Sequence, residues 1–479
     1  MEYKIVILFS FVCFIEFSLT NQTVLKCEHH DQHKSGIFLK AKNFTDCKIE
    51  NALQVSDVDE IIESVVPNGF WKLQSSISME IGALIFVNSS LMKIPTKVFQ
   101  KFRNLQIFCA CDVQLRLMTR DDFIDAGNLK ELRLKRNLIS KLEDRTFANL
   151  KKLQKLDLSG NLIKSINEET FVGCSEYLEK VDFSFNKIKE IDFASLVSLA
   201  HIKKRPVELL LNSNEILAVK ESHRVSHLFF ESLNLKENFL KSFSCPDVKI
   251  GELHLESNHI ETISFDNCSV EYMKISGNNL KWLHIHGDMK GLIAAENQIE
   301  SFVVSGDSKM YHMELTDNGE IENIFPTLKL MDRIQYLNLS NTIIGVIHED
   351  SFARMTELKY LFLKNSGIQI IPFGIFGNNK QLMTLDLSDN DLESIDLHMF
   401  TGLDELKILN LSGNKLSQIE GIEKIKAVLP ELKQIGISGN NWKCINLSTL
   451  IRTLSQLGIS VSEGLMEVGE QSISGIGCY

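Results

Sequence analysis

Cysteine is the residue type in this chain best suited to covalent chemistry, and its spacing points to three different uses. Ten cysteines occur in 479 residues. Cys27 and Cys47 lie near one end, Cys444 and Cys478 near the other, and each pair reads as a disulfide staple. Closing loops of this size contributes roughly 3 kcal/mol each. Cys245 and Cys268 fall at matching points of adjacent repeats and read as a third staple, subject to their Cα separation. Cys109 and Cys111 differ from these. They stand two apart on one face of an expected strand, where a bond between them is strained. Nine cysteines remain if an N-terminal leader is removed, so at least one lacks an intramolecular partner. A mixed disulfide to another chain through Cys109 or Cys111, free thiols, and an internal pairing all stay open. Cys174 stands where the preceding repeat has a leucine and reads as a buried thiol.

Other chemistry is poorly represented. His29, His30 and His33 lie in a polar stretch beside Cys27, and His284 and His286 share an extended segment. Neither group has the matched ligands of a zinc site. The chain has no G-x-S-x-G, H-E-x-x-H, phosphate-loop or dinucleotide pattern. The expectation is a binding protein that performs no catalysis and holds no cofactor or metal.

The elements that position these residues come from one phrase, L-x-x-L-x-L-x-x-N-x-L, with clear copies beginning at Leu129, Leu153, Leu178, Leu382 and Leu406. This is a leucine-rich repeat, and about 16 copies occupy residues 81–441. The fold class is therefore an α/β solenoid. A curved parallel sheet lines the concave face, and short helices, turns and extended segments form the convex face. Positions 4 and 6 point inward, while 3, 5 and 7 face solvent. Position 9 is usually asparagine, from Asn137 to Asn440, where its amide can bridge backbone groups that have no ladder partner. Ser89, Thr342 and Ser366 can meet part of that need, whereas Val113 interrupts the ladder. Long repeats carry a return-side phenylalanine, as at Phe99, Phe147 and Phe376. The short repeats between Asn238 and Asn318 lack room for one and should return nearly extended. The longest repeat places a short helix before a basic loop, His201 to Pro206.

Solenoids need caps at both ends. Residues 21–80 read as the N-terminal cap, and 442–479 as a C-terminal cysteine cap containing a helix with apolar positions Leu447, Leu450, Ile451, Leu454 and Leu457. Residues 1–20 read as a signal peptide, with an apolar run from Ile5 to Phe17 behind Lys4. Its removal moves the formal charge from −11 to −10, since Glu2, Lys4 and Glu16 are lost. That acidity disfavours nucleic acid and anionic membranes, and no later run is long enough for a membrane span. Extracellular secretion follows as the expectation. Acceptor sequons begin at Asn21, Asn43, Asn88, Asn267, Asn338, Asn410 and Asn446.

Three solvent-face stretches stand out as binding surfaces. Ala83, Ile85 and Val87 precede Ile107, Cys109 and Cys111, an apolar patch that either the cap or a partner covers. Tyr336, Tyr360 and Phe362 lie in adjacent repeats with His312 and Lys364 beside them, and tyrosine-rich clusters make good anchors. Glycans on Asn338 or Asn410 would crowd that face. Lys130, Arg133, Lys135, Arg136 and Lys155 form a basic group, but Glu131, Asp157 and Asp182 intervene, which favours a solvated mixed surface.

The N-terminal Cys pair, the short middle repeats and the ending Asn440-Asn441-Trp442-Lys443-Cys444 … Gly475-Ile476-Gly477-Cys478 together resemble the secreted leucine-rich-repeat immune proteins of mosquitoes. More distantly they resemble Toll-type ectodomains. The resemblance covers residue 24 onward and implies innate-immune capture of a complement-like thioester protein in body fluid. The better-known members pair through a Cys motif and coiled coil beyond the cap. No such segment follows the cap in these residues, so the chain is read as a coil-less member of unknown oligomeric state. Direct sensing of microbial glycan or lipid, and an adhesive role in extracellular matrix, are the alternatives.

Overall fold

The computed structural model describes residues 15–18, 24–29, 45–50, 81–87 and 89–479, apart from 201–205, 221–227, 246, 266–267, 322–323 and 463–470. Side chains are described from residue 82 onward, except those of 87, 200 and 471. The chain forms two compact units, the first ending at Leu240 with 246–250 added, the second comprising Lys241–Cys245 and Gly251–Tyr479.

In the first unit, strands Ile81–Val87, Ile107–Cys109, Glu131–Arg133, Lys155–Asp157, Lys180–Asp182, Val207–Leu210 and Leu228–Asn234 pair in parallel. The five from Ile107–Cys109 to Val207–Leu210 are short, three or four residues, because little beyond positions 3 to 5 keeps extended geometry before the chain turns. In-register pairing of Ile107 with Glu131 and Lys155 places equivalent positions side by side. Inward leucines such as Leu132, Leu156 and Leu209 are fully or almost fully buried. The parallel sheet also reaches back into the cap, since Thr45–Glu50 pairs in parallel with Ile81–Val87. Val24–His29 pairs antiparallel with Thr45–Glu50 and places Cys27 opposite Cys47. The thiols of that pair lie outside the described side chains. The expected helix in the longest repeat is present at Phe193–Ala200.

In the second unit, strands Ser269–Lys274, Gly291–Ile293, His312–Glu314, Tyr336–Asn338, Tyr360–Phe362, Thr384–Asp386, Ile408–Asn410 and Gln434–Gly436 repeat the pattern. The short repeats do return in extended form, with Ser242–Ser244 beside Thr262–Ser264 and Trp282–His286 beside Ser301–Ser305. Contrary to the expectation that they lack room for a return-side phenylalanine, these strands bury Phe243 and Phe302, because an inward position of an extended return also faces the core. Their disulfide joins Cys245 to Cys268 at a Cα separation of 5.6 Å. Ser460–Val461 adds a parallel strand beyond Gln434–Gly436. The cap helix Cys444–Gln456 buries Leu447, Leu450 and Leu454, but Leu457 stands past its end and is exposed. Cys444 and Cys478 are bonded, and the buried Trp442 donates its indole N–H to the Ile437 carbonyl at 2.6 Å.

Return-side phenylalanines form a column in each unit. Phe99, Phe123, Phe147 and Phe171 succeed one another at 5.3–6.5 Å, and Phe352, Phe376 and Phe400 at 6.0–6.1 Å.

The asparagine ladder is formed as backbone accounting requires. Asn161 donates to the Leu134 and Leu158 carbonyls and accepts from the Ile139 N–H. Thr342 and Ser366 donate their hydroxyls to Leu315 and Leu339, keeping one function of the amide. At Val113 the side-chain ladder lapses, but the main chain bridges the gap. The Val113 carbonyl takes the Leu91 N–H at 2.6 Å, and Asn137 accepts from the Val113 N–H.

The residue before each rung carries the sharpest turn. It has positive φ at Asp112, Arg136, Phe185, Ser213, Glu237, Ser257, Glu296, Asp317, Asn341, Asn365 and Asp389 as well as at Gly160, Gly277, Gly413 and Gly439. A side chain in this left-handed region is disfavoured by roughly 1–2 kcal/mol. The rungs hold it there. Phe185 is 61% exposed, so its ring contributes little packing. Phe185→Gly is therefore expected to leave stability unchanged or raise it, whereas Asn186→Ala removes three amide donations and leaves the buried Ile163 N–H without its acceptor, lowering it by about 1–3 kcal/mol. Urea unfolding of the two variants checks the sign of each.

Candidate functional site

The aromatic residues singled out in the sequence are brought together in the second unit by strand register. His312 aligns with Tyr336, Tyr336 with Tyr360, and Asn338 with Phe362. Position 3 of each strand faces solvent, so the rings lie on one surface. The His312 and Tyr336 rings stack at 4.3 Å between centroids and 10° between planes. Tyr336 also meets Phe362 at 5.5 Å and Tyr360 at 6.1 Å. Tyr336 is thus the centre of the cluster, and Tyr360 is its more exposed edge at 39%. His312 is held on its other side by Glu314, 2.9 Å from its Nε2. Partial burial, followed by the Glu314 carboxylate, pushes the Tyr336 phenol upward, so it stays neutral and able to donate a hydrogen bond. Lys364 joins less closely, its ammonium lying 3.1 Å from Asp389.

One part of this surface has no counterpart in the sequence reading. Tyr272 and Tyr311 share a hydrogen bond at 2.8 Å between hydroxyls, with rings edge to face at 6.2 Å. Tyr272 lies on Ser269–Lys274 and Tyr311 just before His312–Glu314, with Gly291–Ile293 between these strands, and the space comes from Gly291: a Cβ there would stand 2.9 Å from the Tyr272 ring. Tyr311 sits at position 2, outside the alternation used to select solvent-facing residues. The glycine at position 3 of the intervening strand was the available signal. Gly291→Val is expected to displace the Tyr272 ring and break the tyrosine bridge while the strand pairing persists. Loss of that contact can be read from Tyr ring signals by nuclear magnetic resonance, with the hydrogen-exchange pattern of the sheet retained.

The two sequons on this face have a structural use. Asn338 Oδ1 accepts from the Ser340 N–H at 3.0 Å, and Asn410 Oδ1 from Ser412 at 3.2 Å. Asp157, Asp182 and Asp386 make the same turn with Ser159, Ser184 and Ser388. The Asn-x-Ser pattern at positions 5 to 7 thus arises from the repeat itself. Asn446 lies in the cap helix, with its amide donating to Ser417 at 3.3 Å. Asn21, Asn43, Asn88 and Asn267 lie outside the described residues.

The other stretches resolve differently. In the first unit Ala83 is buried and Ile85 and Ile107 are half-buried, while the side chain of Val87 is outside the description. Cys109, 8% exposed, has its Sγ 2.7 Å from that of the half-buried Cys111. Two members of the basic group are ion-paired, Arg133 with Glu131 at 2.7 Å and Arg136 with Asp112 at 2.8 Å. His284 and His286 lie 6.0 Å apart between ring centroids, and His286 contacts Ser305. Among the described residues no three His, Cys, Asp or Glu side chains converge as a metal site.

Fold and surface together define a leucine-rich-repeat solenoid protein with an aromatic solvent face. A family model described as leucine rich repeat matches residues 127–176, 358–416 and 380–442. Among solved structures, the chain is similar to one in the LRIM1/APL1C complex, at 19% identity, covering 90% of this chain and 69% of that one with a TM-score of 0.51. It is also similar to the APL1 leucine-rich repeat domain, at 18% identity, covering 90% and 97% with a TM-score of 0.51. A chain of the Drosophila Toll–Spatzle complex is similar at 18% identity, covering 76% and 51% with a TM-score of 0.54. At these identities the likeness is one of fold. Rat osteomodulin is 23% identical over 191 residues, so the match spans 37% of this chain and about two fifths of that protein.

Proposed function

We propose that this protein is secreted and captures an extracellular protein partner without chemistry, through the aromatic face centred on Tyr336, in innate immunity. The observation that carries the reading is that face: four rings on adjacent strands, His312 stacked on Tyr336 and Tyr360 and Phe362 tilted against it. Rigid aromatic side chains give contact area with little loss of rotamer freedom on binding. Support for an immune setting comes from likeness in fold to the LRIM1/APL1C and Toll–Spatzle structures, both assemblies of named proteins. Two disulfides and the leader-like segment at residues 1–20 support secretion, and no helix among the described residues is long and apolar enough to cross a membrane. The complement-like thioester protein implied by the terminal motifs is the first partner to try.

Pull-down from the native body fluid tests this. Recovery of a stoichiometric thioester-type protein supports capture. Retention of the pure protein by microbial surfaces alone would replace it with direct sensing, and tissue-fixed protein would favour a matrix role. Peptide mass spectrometry should find Asn338 largely unglycosylated, since its glycan would stand between Tyr336 and Phe362. A fully occupied Asn338 removes this face as the capture surface.

A further inference from the structure

The apolar stretch of the first unit contains a second chemistry that the capture reading does not use. Cys109 and Cys111 occupy positions 5 and 7 of their repeat, the solvent-side positions held one repeat later by Arg133 and Lys135. By the repeat pattern these are not core positions, yet Cys109 is buried and Cys111 half-buried. Both are free, with sulfurs 2.7 Å apart, longer than a disulfide bond and within hydrogen-bond reach. The strand ends at Cys109, so Cys111 lies just beyond the ladder with its sulfur beside that of Cys109. We propose that Cys109 and Cys111 form a redox-active dithiol site that exchanges with disulfides of small molecules or proteins.

The geometry divides the work. Cys111 is the more exposed sulfur and is the one an incoming disulfide reaches. Cys109 gives up its own proton to solvent first, favoured by the Cys111 contact; the Cys111 proton then passes to the Cys109 thiolate, and the Cys111 thiolate attacks one sulfur of the incoming disulfide. That bond breaks, a mixed disulfide forms on Cys111, and the first thiolate leaves. Cys109 then loses its proton, favoured by the nearby Arg133 and Lys135 charges. Its thiolate attacks the Cys111 sulfur and expels the second thiolate, leaving Cys109 bonded to Cys111. The pair has lost two electrons and the incoming disulfide has gained them, with the two protons going to the departing thiols. Because a bond between residues two apart on a strand is strained, the oxidised pair is readily reopened by an external thiol. The Cys111 hydrogen bond pulls the Cys109 thiol below its ordinary value, with Arg133 adding to it, and the same bond together with burial pushes Cys111 up. This is the signature of two thiols sharing one proton. Cys174, half-buried rather than buried as its place in the repeat suggested, provides the contrast, since desolvation of its thiol pushes it up to about 12.

Treating the full, pre-reduced chain with oxidised glutathione tests the site by peptide mass spectrometry. The expected product is a Cys109–Cys111 peptide two hydrogens lighter, with no glutathione attached, that returns to the dithiol on adding reduced glutathione. Cys109→Ser should instead retain glutathione on Cys111, and Cys174 should stay unmodified in every sample, which also reports that each variant is folded. A wild-type adduct that persists on either cysteine, an unreactive pair in folded protein, or a Cys109→Ser variant that keeps no adduct overturns the proposal.

Discussion

Tyr336→Ala is expected to weaken capture of the protein partner by about thirtyfold or more, the effect of losing roughly 2 kcal/mol at a central anchor. Three rings contact Tyr336, so its removal also frees His312, Tyr360 and Phe362 from their common arrangement. Tyr360, at the edge, should matter less. Tyr336→Phe retains the ring contacts and should recover most of the affinity if packing dominates. Biosensor titration of the partner recovered from body fluid reads all three variants. Unchanged affinity in Tyr336→Ala would move the capture surface elsewhere.

The largest effect on stability is expected from Phe376→Ala. Its ring is fully buried and lies 6.0 Å from Phe352 and 6.1 Å from Phe400. Truncating a buried phenylalanine typically costs about 3–5 kcal/mol. Repeat arrays couple mainly to their nearest neighbours, so the damage should centre on three successive repeats rather than spread evenly. Hydrogen exchange by mass spectrometry is the suitable readout, with faster exchange expected across residues 352–400 and little change in the first unit. Uniform acceleration over the whole chain would show tighter coupling than the fold implies.

Much of this architecture was legible because the repeat ties residue type to backbone need. A buried turn with unpaired carbonyls demands an amide, and Asn161 or Asn390 reports it directly. A wide return demands volume, and Phe147 or Phe376 supplies it. Cys245 and Cys268 could be paired because equivalent positions of neighbouring turns stand side by side. Other features left no comparable mark. The left-handed residue before a rung is more often Arg, Phe, Glu, Asp, Asn or Ser than glycine, because surrounding hydrogen bonds hold a conformation that the residue itself does not favour. The sheet extends through Thr45–Glu50 and Ser460–Val461, whose sequences do not carry the leucine template. Of the candidate site, register alone assembled His312, Tyr336, Tyr360 and Phe362. The Tyr272–Tyr311 bridge was hidden because it depends on an absent side chain at Gly291, and absence is hard to read as a contact. The sequons at Asn338 and Asn410 were legible as a pattern, but the same letters encode a turn.

The asparagine ladder carries a consequence for how such chains change over generations. Each rung bonds main-chain groups of its own turn and of the turn before, as Asn161 does with Leu158, Leu134 and Ile139. Every turn offers those same groups whatever its side chains. A whole repeat can therefore be duplicated or deleted by recombination without leaving a rung unsatisfied, provided the cut falls at matching positions. Chain length, and with it the reach of the binding face, is free to drift in a way that a globular core forbids.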